Sequence, residues 1–356
     1  MHFVNANGEK YTPNNYLTFD DVLLKPQKSI YNSRNDPRIS LACAFGNIPF
    51  ISANMDTVTD YNMAVAMDGL GGLGILHRFH KDDSVYRDII LKTAAQVSRL
   101  GFSIGCGTKW IDFTKDIIDR LRPIYDKQVC LCLDVAHGHM QQSINTVEEL
   151  ARNFDVHIIA GNVATVEGAI ELAEAGADTV KVGIGSGSLC TTRIVTGHGV
   201  PQLSAIIAIR EAFDMQDIGC NIIADGGIRN SGDIVKALAA GADGVMIGSL
   251  FAGCDESPGD VHETSNGAYK MYRGQSSAHF MKDIGKKGVA SEGEATYIKV
   301  KGSVTDVVSE LLGGLRSGMT YSGCGTIREL QDNAVFIEIS HHGYVESTPH
   351  ALHRYK

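Results

Sequence analysis

Two stretches of the chain repeat one pattern. "IIAGNVATVEGAIELAEAGADTVKVGIGSGS", from Ile158, and "IIADGGIRNSGDIVKALAAGADGVMIGSL", from Ile222, each run strand, polar loop, amphipathic helix, AGAD turn and strand, and close on IG-S. A strand–helix–strand unit cannot bury both its faces alone, and tandem copies point to a closed (β/α)8 barrel rather than an open doubly wound sheet. The same rhythm of short apolar runs predicts eight strands, at 48–56, 72–78, 101–107, 129–138, 156–164, 179–187, 220–227 and 244–251. Their apolar residues are nearly continuous, as in parallel strands covered on both faces. An open sheet would show a G-x-G-x-x-G opening a helix after an early strand. Here GIGSGS at 183–188 is followed by no helical pattern until near Pro201.

The expected fold is therefore α/β, a single TIM barrel domain over 1–356. A barrel takes about 250 residues, and 356 residues with 44% hydrophobic content leave room for additions. These are an N-terminal extension (1–40), a flap insertion between the eighth strand and the last helix (252–303) and a C-terminal tail (328–356). The insertion holds little core material and reads as a lid. The tail carries His341, His342, His350 and His353, and reads as a solvated, mobile segment rather than a metal site.

Acidic residues outnumber basic ones, 41 to 32, and no long Lys/Arg block appears, which argues against a nucleic-acid surface. No run approaches the ~18 apolar residues of a membrane span. Eight cysteines are scattered without a secretory segment and read as reduced thiols in the cytoplasm. Cys130 and Cys132 form CxC within an apolar run, which is not zinc-ligand spacing.

Barrel active sites sit at the C-terminal ends of strands, which marks Asn54, Asp56, His77, Asp134, Asn162, Cys190 and Asp225. ADGG at 224–227 and IGS at 247–249 follow the seventh and eighth strands, where backbone amides commonly hold a phosphate. A carboxylate there, Asp225, suits a sugar's hydroxyls, so the pair implies a ribose phosphate. Cys190 stands among small and hydroxylated residues, with Thr191, Thr192, Arg193 and His198 nearby to lower its pKa or manage protons. That setting suits a nucleophile.

"LTFDDVLLKPQKS" (17–29), "ISANMDTVT" (51–59), "KVGIGSGSLCTTR" (181–193), "IIADGGI" (222–228), "MIGSLFAGCDESPG" (246–259) and "YRGQSS" (272–277) together resemble the IMP dehydrogenase/GMP reductase family over nearly the whole chain. The resemblance implies a barrel, usually tetrameric, whose loop cysteine attacks C2 of a purine nucleotide and whose adduct exchanges hydride with a nicotinamide cofactor. It implies Cys190, Thr192 and Glu292 as catalytic residues. Ser188, Asp225, Gly226, Gly227, Gly248, Ser249, Tyr272, Gly274, Gln275, Ser276, Ser291 and Gly293 are then substrate-binding. Ser33, Arg34, Arg78, Asp134, Val135, Ala136, Ile184, Gly185, Ser317 and Tyr321 are cofactor-binding, and Gly185, Gly187, Cys190 and Arg193 hold a monovalent cation, K+.

Dehydrogenases of the family carry a flap Arg-Tyr pair that activates water. Here residues 274–315 contain no arginine and one tyrosine, Tyr297, while only "AHFMKDIGKK" separates GQSS from GVASEG. The regulatory CBS pair usual after the second strand and helix is absent as well. The resemblance is thus nearest to GMP reductase, with NADPH as cofactor and NADH as the alternative. Gly288 and Val289 where reductases have Tyr-Arg, and Glu294 for a lysine, depart from that pattern. A dehydrogenase without CBS repeats, using Lys286, Lys287 or another base, is the rival reading, and a non-catalytic nucleotide-binding regulator the third.

Overall fold

The computed structural model describes residues 1–285, 288 and 290–349. Eight parallel strands close into a barrel in sequence order: β1 (Phe50–Ser52), β2 (Leu73–Leu76), β3 (Leu100–Ile104), β4 (Val129–Asp134), β5 (His157–Val163), β6 (Thr179–Val182), β7 (Asn221–Asp225) and β8 (Gly244–Ile247). Each lies within a predicted run except β3, which begins one residue earlier, at Leu100. β8 pairs with β1 to close the ring, Val245 opposite Phe50 and Ile247 opposite Ser52.

Every residue of β2, β3 and β4 is buried, because one face fills the barrel interior and the other meets the helices. A fully buried Ile or Leu contributes about 1.5 to 3 kcal/mol. The helices are α1 (Tyr61–Gly69), α2 (Asp83–Ala94), α3 (Thr108–Leu121), α4 (Gln141–Asn153), α5 (Val166–Glu174), α6 (Gln202–Met215), α7 (Ser231–Ala239) and α8 (Val304–Ser322). Close packing needs small residues at contact points. A Cβ on Gly74 of β2 would stand 2.5 Å from Ala64 Cα on α1. The five residues 95–99 join α2 directly to β3.

The tandem repeat has a common physical basis. The AGAD aspartates, Asp178 and Asp243, accept the amides of Ile158 (2.7 Å) and Ile222 (2.8 Å), where the preceding strands begin, and donate their own amides back to those carbonyls. At the N-terminal mouth, Phe45 is 1% exposed, edge-on to His157 at 6.2 Å, and plugs the barrel.

Two expectations change. The tail is ordered through the described residues: Val335–Glu338 lies between His2–Val4 and Val22–Leu24 in a four-stranded sheet, with Phe3 stacked on Phe336 at 5.3 Å. The two chain ends supply each other's strand partners. His350 and His353 lie outside the described residues. The flap insertion also has structure: Gly267–Arg273 pairs with His262–Thr264 and Ala295–Lys299, and the buried Lys270 donates to the carbonyls of Cys254 (3.0 Å), Asp255 (3.2 Å) and Ser257 (2.7 Å). That lysine ties the insertion to the turn after β8.

Candidate active site

A cavity of about 970 Å³ opens at the C-terminal mouth of the barrel, within the usual range for small-molecule sites. Its walls bring together Ser188, Cys190, Thr192, Asp225, Gly226, Gly227, Gly248, Ser249, Tyr272, Gly274, Gln275, Ser276, Glu292 and Gly293, with Arg78, Asp134, Val135, Ala136, Ile184, Gly185 and Gly187. Ser291 stands just behind, its hydroxyl donating to Ser276 O (3.1 Å) and Gly293 O (2.9 Å).

The Cys190 thiol donates to Thr192 Oγ1 at 3.1 Å, and that hydroxyl donates to Glu292 Oε2 at 2.9 Å. Residues a hundred positions apart thus form one hydrogen-bonded chain. Two backbone bonds hold it: Thr191 N to Glu292 O, and Glu294 N to Leu189 O, both 2.9 Å. A short helix, Thr192–Thr196, follows the cysteine, earlier than the first helical pattern legible near Pro201. The turn into this loop needs glycine: Gly183 has φ +155°, and a Cβ there would lie 1.9 Å from Asp225 O. His198 is exposed and bonds Thr196. Burial pushes up the thiols of Cys43, Cys106, Cys130, Cys132, Cys220, Cys254 and Cys324, so those seven are protonated fillers.

Opposite the cysteine loop, the amides of Gly226, Gly227, Gly248 and Ser249 meet no acceptor among the described residues. Gly226 and Gly227 lie ahead of the N-terminus of α7, which favours an anion. Ser188 Oγ and Tyr272 OH are 3.1 Å apart beside them. Burial raises the Tyr272 phenol, with the Ser188 bond acting the other way and Asp225 adding to the rise, so it remains a neutral donor. Lys301 fixes the loop from behind, donating to Ser249 O (2.6 Å) and Leu250 O (3.1 Å). The N-terminal extension reaches here too: a Cβ on Gly227 would meet Phe19 at 3.2 Å.

On the other side Arg78 places its guanidinium 4.4 Å from the Phe79 ring and 5.5 Å from Trp110, and donates to Asp134 O at 3.3 Å. Its Nε and Asn54 Nδ2 are buried donors without partners, and Gln275 Nε2 donates to Asn54 O at 2.5 Å. The cavity continues past Lys81, Asp82, Asp83, Lys109 and Trp110, an arm with no warning in the sequence.

Four expected cofactor residues do not line this cavity. Ser33 and Arg34 are exposed in the N-terminal extension, while Ser317 and Tyr321 sit on α8, whose last turn meets that extension through Gln27 N to Tyr321 O at 2.9 Å. Of the strand-end residues, Asp56 is engaged by Arg273 (2.9 Å from Nε), whose other end holds Asp283 of the flap helix Ala278–Asp283. His77 is buried beneath the rim. Asn162 faces the cavity. Lys181 was missed altogether; its signal was a lone charge inside the apolar run TVKV.

Asp60, His77 and His80 bring three potential metal-ligand atoms within 4.8 Å. The two imidazoles stack at 4.1 Å with planes 21° apart, so one ion cannot lie in both ring planes. His77 Nδ1 also accepts Phe79 N–H (3.1 Å), which leaves Nε2 carrying the proton. Burial, then the His80 and Arg273 charges, holds His77 well below its ordinary value of 6.5. The unfolded chain takes up this proton below about pH 6.5 and the folded chain does not, so stability is lost as pH falls, by up to about 1.4 kcal/mol per pH unit. Urea midpoints measured from neutral to mildly acidic pH should show this slope, and His77→Phe should flatten it. A parental slope in that variant would contradict the assignment.

Residues 16–350 match the family described as IMP dehydrogenase / GMP reductase domain. The chain is 34% identical over 469 positions to the inosine-5'-monophosphate dehydrogenase of Nitrosopumilus maritimus, covering 94% of this chain and 98% of the relative. It is 38% identical over 384 positions to that of Cryptosporidium parvum, covering 94% of each. With the GMP reductase of Onchocerca volvulus it shares 37% over 337 positions, 91% of each. The 469 positions exceed the 356 residues of this chain, so the first relative carries sequence lacking here. The second shows that a protein named as a dehydrogenase also does without an insertion of about a hundred residues.

Proposed function

The chain belongs to the IMP dehydrogenase/GMP reductase family of oxidoreductases, and on that premise we propose that it is a GMP reductase, converting GMP to IMP and ammonia with NADPH. Cys190 attacks C2 of the purine and forms the covalent adduct. Thr192 and Glu292 carry the thiol's proton toward the departing amine, which leaves as ammonia only when protonated. NADPH, when held beside Arg78 and Asp134, would supply the hydride to C2; Cys190 then leaves C2 as the thiolate and takes a proton from solvent to return to the thiol. Asp225 holds the ribose hydroxyls, and the free amides of the two glycine loops hold the 5'-phosphate.

The observation that carries this reading is that no arginine occurs in 274–315 to activate water. The flap side chain that faces the nucleophile is Glu292, through Thr192, a pair that some dehydrogenases share. The orphaned Arg78 Nε and Asn54 Nδ2 suit the oxygens of a nicotinamide cofactor beside Asp134, Val135, Ala136, Ile184 and Gly185. A K+ site belongs to the same proposal. The carbonyls of Gly185 and Cys190 accept no hydrogen bond among the described residues, while those of Gly187 and Arg193 accept the amides of Cys190 (3.1 Å) and Gly197 (3.2 Å). In a homotetramer, Ser33, Arg34, Ser317 and Tyr321 would meet a neighbouring copy's cofactor.

The dehydrogenase reading rests on the names of most relatives; Lys286 and Lys287, its candidate bases, lie outside the described residues. Product analysis separates the two. GMP with NADPH or NADH should give IMP and ammonia, while IMP with NAD should give little XMP. XMP accumulating at a rate rivalling IMP formation would make the chain a dehydrogenase. Asp225→Ala should weaken GMP binding by about 1.5 to 3 kcal/mol, the worth of a charge-assisted hydrogen bond, in a direct titration; parental affinity would reduce Asp225 to a turn former.

A further inference from the structure

One buried ammonium serves two carboxylates at the floor of the cavity. Lys181, on β6, is 2% exposed. Its Nζ donates to Asp134 Oδ1 on β4 at 2.9 Å, to Asp225 Oδ2 at the end of β7 at 3.1 Å, and to Asn162 Oδ1 on β5. Asn162 Nδ2 donates in turn to Asp225 Oδ2 and to Gly183 O, both at 2.8 Å. Asp225 Oδ1 receives no hydrogen bond among the described residues and remains for a ligand, and the Asp134 carboxylate faces Asn54 as well as Lys181. The other groups facing this cluster are Arg78, on the Asp134 carbonyl, and the Cys132 thiol, which burial pushes up to about 12 and so keeps neutral. Burial works to raise the Asp134 carboxyl, but the Lys181 ammonium and then Arg78 outweigh it and hold it below the ordinary value.

A lysine inside an apolar strand survives only when its charge is matched and its donors are used. All three donors here are used, and they reach three different strands. A packing role would need one partner; this arrangement sets the distance between two cavity-facing carboxylates, one on the nucleotide side and one on the cofactor side. We propose that Lys181 is a positioning residue that fixes Asp225 and Asp134 in one register, so that nucleotide and cofactor bind at the two ends of a single buried charge triad. The inference rests on the ribose and cofactor roles given to those aspartates above.

Without the ammonium, two carboxylates share a low-dielectric compartment, and one retains a proton to higher pH. Nucleotide affinity then falls as pH rises through that raised value, because both groups become charged and repel. The parent has no such dependence from this cluster, since the ammonium satisfies both.

The test titrates the full-length protein with GMP and with IMP by calorimetry across neutral pH, and measures the cofactor KM, in the parent, Lys181→Met, Lys181→Met/Asp134→Asn and Asp225→Ala. Lys181→Met should weaken nucleotide binding roughly ten- to hundredfold, the usual effect of losing a charge-assisted hydrogen bond, raise the cofactor KM, and make affinity pH-dependent. Adding Asp134→Asn should abolish the pH dependence while affinity stays below that of the parent. A structural role alone would lower the melting temperature without a pH dependence that Asp134→Asn removes. If Lys181→Met fails to fold, the charge-balanced double variant carries the test, and parental nucleotide affinity there overturns the proposal. Asp225→Ala keeps the two claims apart: lost affinity in it, with parental affinity in both Lys181 variants, overturns the positioning role and spares the ribose reading. Parental affinity in Asp225→Ala overturns the ribose reading and this proposal with it.

Discussion

Cys190→Ala should bind GMP nearly as the parent does and turn it over slower by several orders of magnitude. In the proposed site the phosphate and ribose contacts lie on the loops after β7 and β8, away from this side chain, so affinity has other sources. Turnover has none in the proposed mechanism, where the sulfur is the atom that bonds to C2, and removing a nucleophile closes a covalent route altogether. Single-turnover measurement with saturating GMP and NADPH is the check. Retention of a tenth of parental activity would remove Cys190 from the mechanism, whatever its hydrogen bond to Thr192.

Glu292→Gln should slow ammonia release by about 10² to 10⁴-fold, the range for a positioned general acid or base. The amide still reaches the Thr192 hydroxyl, which now stands 2.9 Å from a carboxylate oxygen, but it cannot receive and return a proton. Reduction at C2 needs no proton on a leaving amine. Hydride exchange between IMP and the cofactor, followed with isotopically labelled NADPH, should therefore be less affected than GMP turnover. Equal losses in both assays would make Glu292 a structural clip.

The barrel was legible because its pattern is local. Each strand is a short apolar run between helices, and the AGAD repeat exposes the unit twice. The site was legible where chain order places it, at strand ends and in the glycine loops. What escaped depends on contacts between distant residues. Val335–Glu338 reads as a tail until His2–Val4 and Val22–Leu24 are seen beside it. Lys181 reads as an oddity in an apolar strand until Asp134 and Asp225 converge on it. The cavity arm past Lys109 and Trp110 is also lined by Lys81, Asp82 and Asp83 from the segment leading into α2, a meeting of distant residues that no motif encodes. Ser33, Arg34, Ser317 and Tyr321, cofactor-binding by the resemblance, do not line the cavity of this chain.

The flap meets the cysteine loop through main-chain atoms, Thr191 N with Glu292 O and Glu294 N with Leu189 O. Peptide groups are the same in every residue, so this seam does not depend on side-chain identity, while Phe280 edge-on to Phe79 at 4.8 Å and Arg273 between Asp56 and Asp283 hold the rest of the flap. The side chain at position 292 is thereby set against the Thr192 hydroxyl beside Cys190. Two tasks are divided within one hairpin: main-chain atoms set its distance from the cysteine loop, and a side chain sets what it presents there.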